Sequence, residues 1–199
     1  MPIQAKQIRK ILQWASYSLL PLGLIIASFV KGADSHFYEE LGEPALSLLT
    51  FILFLTPVTQ ILNWSWLRRL MTWRREFGVA AFWLFLFHSA GMIFSKNLTT
   101  IADYMDPKSY LFWGAIAGVG MLLLGLTSND IAVKTLRKNW KRLQYVAIPT
   151  LFFAHAHVAM IDGNSVLPAV LLFSGYLLLR IVGYYMVKKR QTTVPQHSA

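Results

Sequence analysis

Apolar positions in this chain gather into six long runs, and the polar stretches between them carry nearly all of the charge. The runs cover about 11–30, 45–62, 77–94, 111–126, 143–161 and 166–187. A helix that crosses the hydrocarbon layer of a bilayer needs about 20 mostly apolar residues at 1.5 Å of rise each. The pattern therefore predicts an all-α integral membrane protein, a bundle of six transmembrane helices. The first run follows a basic stretch, as a signal peptide does. It lacks a clear small-residue cleavage site and five more runs follow, so it is expected to stay as a helix.

The charges alternate from one connection to the next. Lys6, Arg9 and Lys10 precede the first run, and Arg68, Arg69, Arg74 and Arg75 lie between the second and third. Lys134, Arg137, Lys138, Lys141 and Arg142 lie between the fourth and fifth, and Lys188, Lys189 and Arg190 follow the sixth. These are 15 of the 19 basic residues. The opposite connections hold only Lys31, Lys96 and Lys108, together with Asp34, Glu39, Glu40, Glu43, Asp103, Asp106 and Asp162. Basic residues stay on the cytoplasmic side of membrane proteins, so both termini are expected in the cytoplasm. The net charge of +10 is then mainly a topology signal, and nucleic acid is not an expected partner.

Composition narrows the picture further. Only 14% of residues are charged, against roughly 25% in soluble domains. With no cysteine in the chain, disulfides, thiolate metal sites, iron–sulfur clusters and cysteine nucleophiles are excluded. Trp14, Trp64, Trp66, Trp73, Trp113 and Trp140 sit near the run ends as interface anchors. No connection is long enough for a domain of its own, so residues 1–199 read as a single transmembrane domain. There is no internal repeat, no Walker-type loop and no dinucleotide fingerprint.

Ionisable side chains inside membrane helices are costly and point to function. Here they are His88 in the third run, His155 and His157 in the fifth, and Arg180 in the sixth. His88 lies roughly 16 Å and His157 roughly 21 Å along their helices from the cytoplasmic boundary. Two neutral imidazoles at matched depth on different helices suit an iron porphyrin as axial ligands. The same pair also fits histidines that fix helix packing by hydrogen bonds, another metal, or a proton relay. His155 is about 200° around the helix from His157, so only one of the two faces a given cofactor, and His155 reads as structural.

Weaker signals surround these residues. Phe82, Trp83, Phe85, Phe87 and Phe94 suit a cofactor wall, though core packing explains them as well. Arg74 and Arg75 suit a propionate, a quinone or a flavin phosphate, and the charge alternation also accounts for them. Arg180 reads as a snorkelling residue, with a propionate partner as the second option. Gly114, Gly118 and Gly120 in the fourth run predict close packing against a neighbour. His36 and His197 lie outside the runs and need no special role.

A wider pattern covers nearly the whole chain. It comprises Gly32-Ala33-Asp34 after the first run, Gly42 before the second, and Leu55-Thr56-Pro57 within it. Arg74-Arg75 with Gly78 leads into the third run and His88. Leu126-Thr127-Ser128 ends the fourth, and Trp140 with Leu143 opens the fifth before His157. In order and spacing the chain resembles the haem-binding membrane subunits of the bacterial periplasmic methionine sulfoxide reductase system, the MsrQ (YedZ) type, within the ferric-reductase-like transmembrane group.

The resemblance implies a multi-pass protein of the bacterial inner membrane that carries b-type haem between its helices. It implies electrons from the quinone pool, or from a cytoplasmic flavin reductase, passed to a periplasmic molybdopterin subunit that reduces methionine sulfoxide in oxidised proteins. A bound flavin mononucleotide (FMN) is also implied. His88 and His157 match the ligand histidines. A further histidine usual after the Trp-x-x-Leu stretch is Gln144 here, a poor haem ligand, so a second, inner-side haem does not carry over.

The expected function is thus an electron-transfer cytochrome b, with the sulfoxide chemistry in its partner. Its acidic outer connections, Asp34 to Glu43 and Asp103 to Lys108, are the expected docking surface. One rival is a reductase acting directly on ferric iron or another outside acceptor. The other is a non-redox transporter or assembly factor on the same fold.

Overall fold

The computed structural model describes residues 3–32, 34–163 and 165–193; Ala33 and His197 lie outside the described residues. Every regular element among those residues is helical. Helix α1 (Ile3–Trp14) passes through a π-helical turn (Ala15–Leu19) into α2 (Leu20–Lys31). Pro21 has no N–H to give the carbonyl four residues back, and the backbone widens just before it. The short α3 (Ser35–Glu40) starts where the Asp34 side chain accepts the His36 N–H at 3.0 Å. Helix α4 (Gly42–Leu62) stops at Asn63, which takes a left-handed conformation.

The chain continues through α5 (Ser65–Met71), α6 (Arg74–Ser95), α7 (Ile101–Met105) and α8 (Tyr110–Leu126). It ends with α9 (Asp130–Leu136), α10 (Lys138–Gln144), α11 (Ala147–Ile161) and α12 (Leu167–Thr193). By length and composition, five helical stretches can cross a membrane: Gln7–Lys31, Ser35–Leu62, Arg74–Ser95, Lys138–Ile161 and Leu167–Thr192. A sixth is reached if α8 and α9, bent by 91°, count as one span. All six apolar runs are therefore helical. The fifth is interrupted at Tyr145–Val146, because Pro149 cannot donate to the Tyr145 carbonyl, which takes the Ile148 N–H at 3.0 Å instead.

Helices α4, α6, α8 and α11 pack around one core, with α12 along α4 and α11, and the first span along α6. Leu49, Leu53, Ala81, Met121, Leu151 and Tyr176 form the buried centre. Large apolar side chains elsewhere point outward, as a lipid-facing surface requires; Phe29 and Phe94 are 83% and 85% exposed. Glycines set the close approaches. A Cβ at Gly120 would strike Thr150 of α11, and one at Gly125 would strike Phe82 of α6. The expectation that α8 packs closely on its neighbours is met there.

The alternating charges become two ends of the bundle. At the basic end, Arg9 pairs with Glu76 at 3.4 Å and Arg75 pairs with Asp130. Arg190 donates to the carbonyls of Gln60 and Ile61 at 2.8 and 2.7 Å, covering the open end of α4. At the opposite end Lys96 pairs with Glu39 at 3.1 Å, and His36 with Glu40 at 3.2 Å.

Candidate functional site

His88 lies on α6 and His157 on α11, each within about two turns of the end of its helix that faces the acidic connections. The fold brings them onto one cavity of about 660 Å³ between α4, α6, α8 and α11. That volume falls within the range of about 300–1,000 Å³ usual for cofactor and small-molecule sites. Its wall is mainly apolar, with Leu46, Phe85, Met92, Leu111 and Met121 contributing. Glu39, Glu43, Lys96 and Tyr104 add the polar groups.

The two histidines are held in the same way. His88 Nδ1 is 2.8 Å from the Tyr38 carbonyl oxygen, and His157 Nδ1 is 2.8 Å from the Tyr110 carbonyl oxygen. A carbonyl only accepts, so each Nδ1 carries the proton and each Nε2 of the neutral ring keeps a free lone pair. A backbone partner on one ring nitrogen is the arrangement that fixes a metal-ligating histidine and raises its basicity.

Each ring also rests against a glycine. A Cβ at Gly42 would lie 2.9 Å from His88 Cε1, and a Cβ at Gly114 would lie 2.7 Å from His157 Nδ1. Any larger residue at either place would displace the imidazole. The described residues contain no group of three or more His, Cys, Asp or Glu side chains placed to hold a metal ion. Two imidazole nitrogens leave four positions of a six-coordinate metal to be filled by the ligand itself. A flat tetradentate macrocycle meets that requirement, and the residues present fit it.

The third intramembrane histidine does something else. Thr50 Oγ1 spends its hydrogen on the Leu46 carbonyl at 2.8 Å, so at 3.0 Å it accepts from His155 Nε2–H. His155 thus ties α11 to α4, away from the histidine pair. Gln144, at the basic end, reaches the Thr127 hydroxyl at 3.4 Å, beside the Trp140 indole donating to the Thr127 carbonyl at 2.8 Å.

Arg74 and Arg75 open α6 at the basic end, roughly 20 Å along the helix from His88. Arg75 is engaged by Asp130. Arg74 is half-buried and has Tyr176 and Arg180 as its charged or titratable neighbours. Of the aromatics near His88, Phe85 lines the histidine cavity. Phe87 and Phe94 instead line a smaller cavity of about 280 Å³ behind Tyr38, with Ser28, Gly91 and Ser95.

Several contributors could not be named from the sequence. The Tyr38 and Tyr110 carbonyls leave no trace in residue identity, because every residue has one. Gly42 and Gly114 were visible only as parts of wider patterns. Glu76, 1% exposed at the start of α6, stands one residue before the third apolar run, where an acid reads as part of the polar connection. Its neighbour in sequence, the Arg74-Arg75 pair, was the available signal for a buried countercharge.

The chain matches the family described as ferric reductase like transmembrane component over residues 41–161. That stretch runs from just before α4 to the end of α11 and contains both histidines. It is similar to proteins named protein-methionine-sulfoxide reductase heme-binding subunit MsrQ. The protein of that name from Brucella anthropi is 29% identical over 152 residues, covering 68% of this chain and 67% of the relative. The one from Rhizobium meliloti is 27% identical over 175 residues, covering 83% and 78%. That from Brucella ovis is 28% identical over 152 residues, covering 68% and 67%. No solved structure gives a significant match. The apolar helices and these bacterial relatives make the protein a multi-pass protein of the bacterial inner membrane. The chain belongs to the ferric reductase like transmembrane component family.

Proposed function

We propose that the protein is the membrane electron-transfer subunit of a methionine sulfoxide reductase system, holding one b-type haem between His88 and His157. One observation carries this reading: two neutral imidazoles, each with its Nδ1–H tied to a backbone carbonyl, leave their Nε2 lone pairs free on one apolar cavity. Haem b supplies a one-electron carrier inside the membrane. His88 and His157 provide the iron ligands, and the Tyr38 and Tyr110 carbonyls keep both rings in the ligating tautomer. Phe85, Met92, Leu111 and Met121 supply the apolar part of the cavity wall. The relatives named as heme-binding subunits support the same assignment.

The basic end faces the cytoplasm and both termini lie there, by the distribution of lysine and arginine. Electrons enter on that side from quinol or reduced flavin, with Arg74 and Arg75 as the residues nearest such a donor or an FMN phosphate. They leave at the acidic end to a periplasmic molybdopterin subunit docking on Asp34 to Glu43 and Asp103 to Lys108. Residues 1–199 act as one transmembrane domain, and the sulfoxide chemistry belongs to the partner.

The test is the reoxidation of reduced protein in nanodiscs. Addition of the periplasmic reductase subunit with methionine sulfoxide is expected to reoxidise it at least tenfold faster than either alone. Equally fast reoxidation by ferric iron with no partner would replace this reading with a direct transmembrane reductase. A protein with nothing to reoxidise would leave a transporter or assembly factor.

A further inference from the structure

The histidine cavity carries charge at one end only. Glu39 on α3, Glu43 on α4 and Lys96 at the close of α6 line it where it meets the acidic connections. Deeper along α6 and α8 its wall is Phe85, Ala117 and Met121. A cavity with that gradient accepts an amphipathic ligand in one orientation, with its apolar edge inward and its ionised edge at the mouth.

Lys96 stands eight residues beyond His88, roughly 12 Å along the helix axis. Its backbone N–H is still bonded to the Met92 carbonyl at 3.1 Å, so the helical path continues to that point. Eight residues make a little over two turns. His88, Met92 and Lys96 therefore follow one another along one side of α6, and all three line the cavity.

Among the described residues that line the cavity, Lys96 is the single lysine or arginine. Its ammonium lies 3.1 Å from Glu39 Oε2, joining the end of α6 to α3 across the mouth. The two side chains are 39% and 54% exposed, so water screens the pair and holds it weakly. An ammonium has three donors, and Glu39 takes one of them. The Tyr104 hydroxyl, also at the mouth, spends its hydrogen on the Leu98 carbonyl at 2.9 Å. A cation at a helix C-terminus is favoured by the dipole, but that role asks only for charge, not for a place on the cavity wall.

We infer that Lys96 is a cofactor-binding residue: its ammonium takes a carboxylate on the edge of the macrocycle, turns that edge to the acidic end, and gives up Glu39 to do so. The inference rests on the haem reading proposed above, because haem b carries two propionates on one edge. With the propionates at the mouth, the opposite edge lies against the apolar inner wall. Glu39 and Glu43 repel the same propionates, so Lys96 supplies the attraction that the mouth otherwise lacks.

The test is a titration of the full chain, prepared without haem in phosphatidylcholine nanodiscs, with ferric haem and with its dimethyl ester. Esterification removes the charge of both propionates and keeps the ring. Lys96→Gln is expected to weaken haem binding about 5–20-fold and ester binding less than about twofold. Lys96→Arg should keep the preference for haem over the ester. Glu39→Gln removes the competitor and a repulsion, and is expected to tighten haem binding about 2–5-fold with the ester unchanged. A lysine that only capped α6 or tied it to α3 would change both ligands alike, and that result would overturn the inference. If Lys96→Gln does not fold, Glu39→Gln still reports, and an unchanged haem affinity there would also overturn it. Haem bound by the wild type and lost in His88→Ala, with the haem-to-ester ratio unmoved by Lys96→Gln and Glu39→Gln, removes the role of Lys96 alone. A wild type that takes up neither ligand removes the haem reading with it.

Discussion

Gly114 leaves the space that the His157 imidazole fills: a Cβ on that residue would stand 2.7 Å from Nδ1 and 2.9 Å from Cε1. The same Nδ1 is bonded to the Tyr110 carbonyl, so the ring cannot yield without breaking the contact that sets its tautomer. Gly42 stands to His88 as Gly114 stands to His157. Gly114→Ala and Gly42→Ala are therefore expected to weaken haem binding about 10–100-fold, the usual cost of disturbing a ligand's support. Gly118→Ala, whose Cβ would meet Phe85 at an ordinary 3.4 Å, is expected to change it less than twofold. Haem titration of the three purified variants decides this.

His155 is expected to contribute to stability and not to cofactor binding. Interhelical hydrogen bonds in membranes average about 0.6 kcal/mol and reach about 1.7 kcal/mol. His155→Ala and Thr50→Ala should each cost about 0.5–1.5 kcal/mol with little further loss in the double variant. Unfolding of the three variants in detergent measures the coupling, and unchanged haem content in His155→Ala is part of the expectation.

Glu76 is buried and Arg9 is its ion-pair partner, at 3.4 Å with about two fifths of the arginine side chain exposed. Arg9→Leu removes the ion-pair partner of a buried carboxylate and is expected to cost about 1–3 kcal/mol, toward the lower end because water screens the exposed arginine and Arg75 also lies near Glu76. Glu76→Gln in the same chain should restore most of that loss. Additive losses in the double variant would show that the two side chains do not act as a pair.

The absence of cysteine makes topology simple to read. Asp106→Cys at the acidic end should react in intact cells with a thiol reagent that crosses only the outer membrane. Asn139→Cys on α10, also exposed, should react only after the inner membrane is opened. The reverse pattern would invert the bundle.

Much of the fold was legible because lipid imposes a length and a charge rule that can be read one residue at a time. All six apolar runs became helices, and the arginines of separate connections met at one end, as Arg9–Glu76 and Arg75–Asp130 show. The helices overrun the apolar stretches, as α12 does to Thr193, because hydrogen bonding continues into the interface. The break at Tyr145 follows from Pro149, which an apolar count does not weigh.

The candidate site was legible in part. Depth and helix assignment placed His88 and His157 near one another, and the rotation argument separated His155, which binds Thr50. The support of each ring was hidden, because the Tyr38 and Tyr110 carbonyls come from the backbone and from elements 47 to 50 residues away.

The central claim is that His88 and His157 hold one haem, and a dithionite-reduced minus oxidised absorbance spectrum with haem quantitation tests it most directly. The purified protein and His155→Ala are expected to show a b-type spectrum at about one haem per chain. His88→Ala and His157→Ala are expected to lose it while remaining folded in the membrane. A wild-type protein that stays colourless after haem is supplied would contradict the claim, as would haem retained in full by both ligand variants.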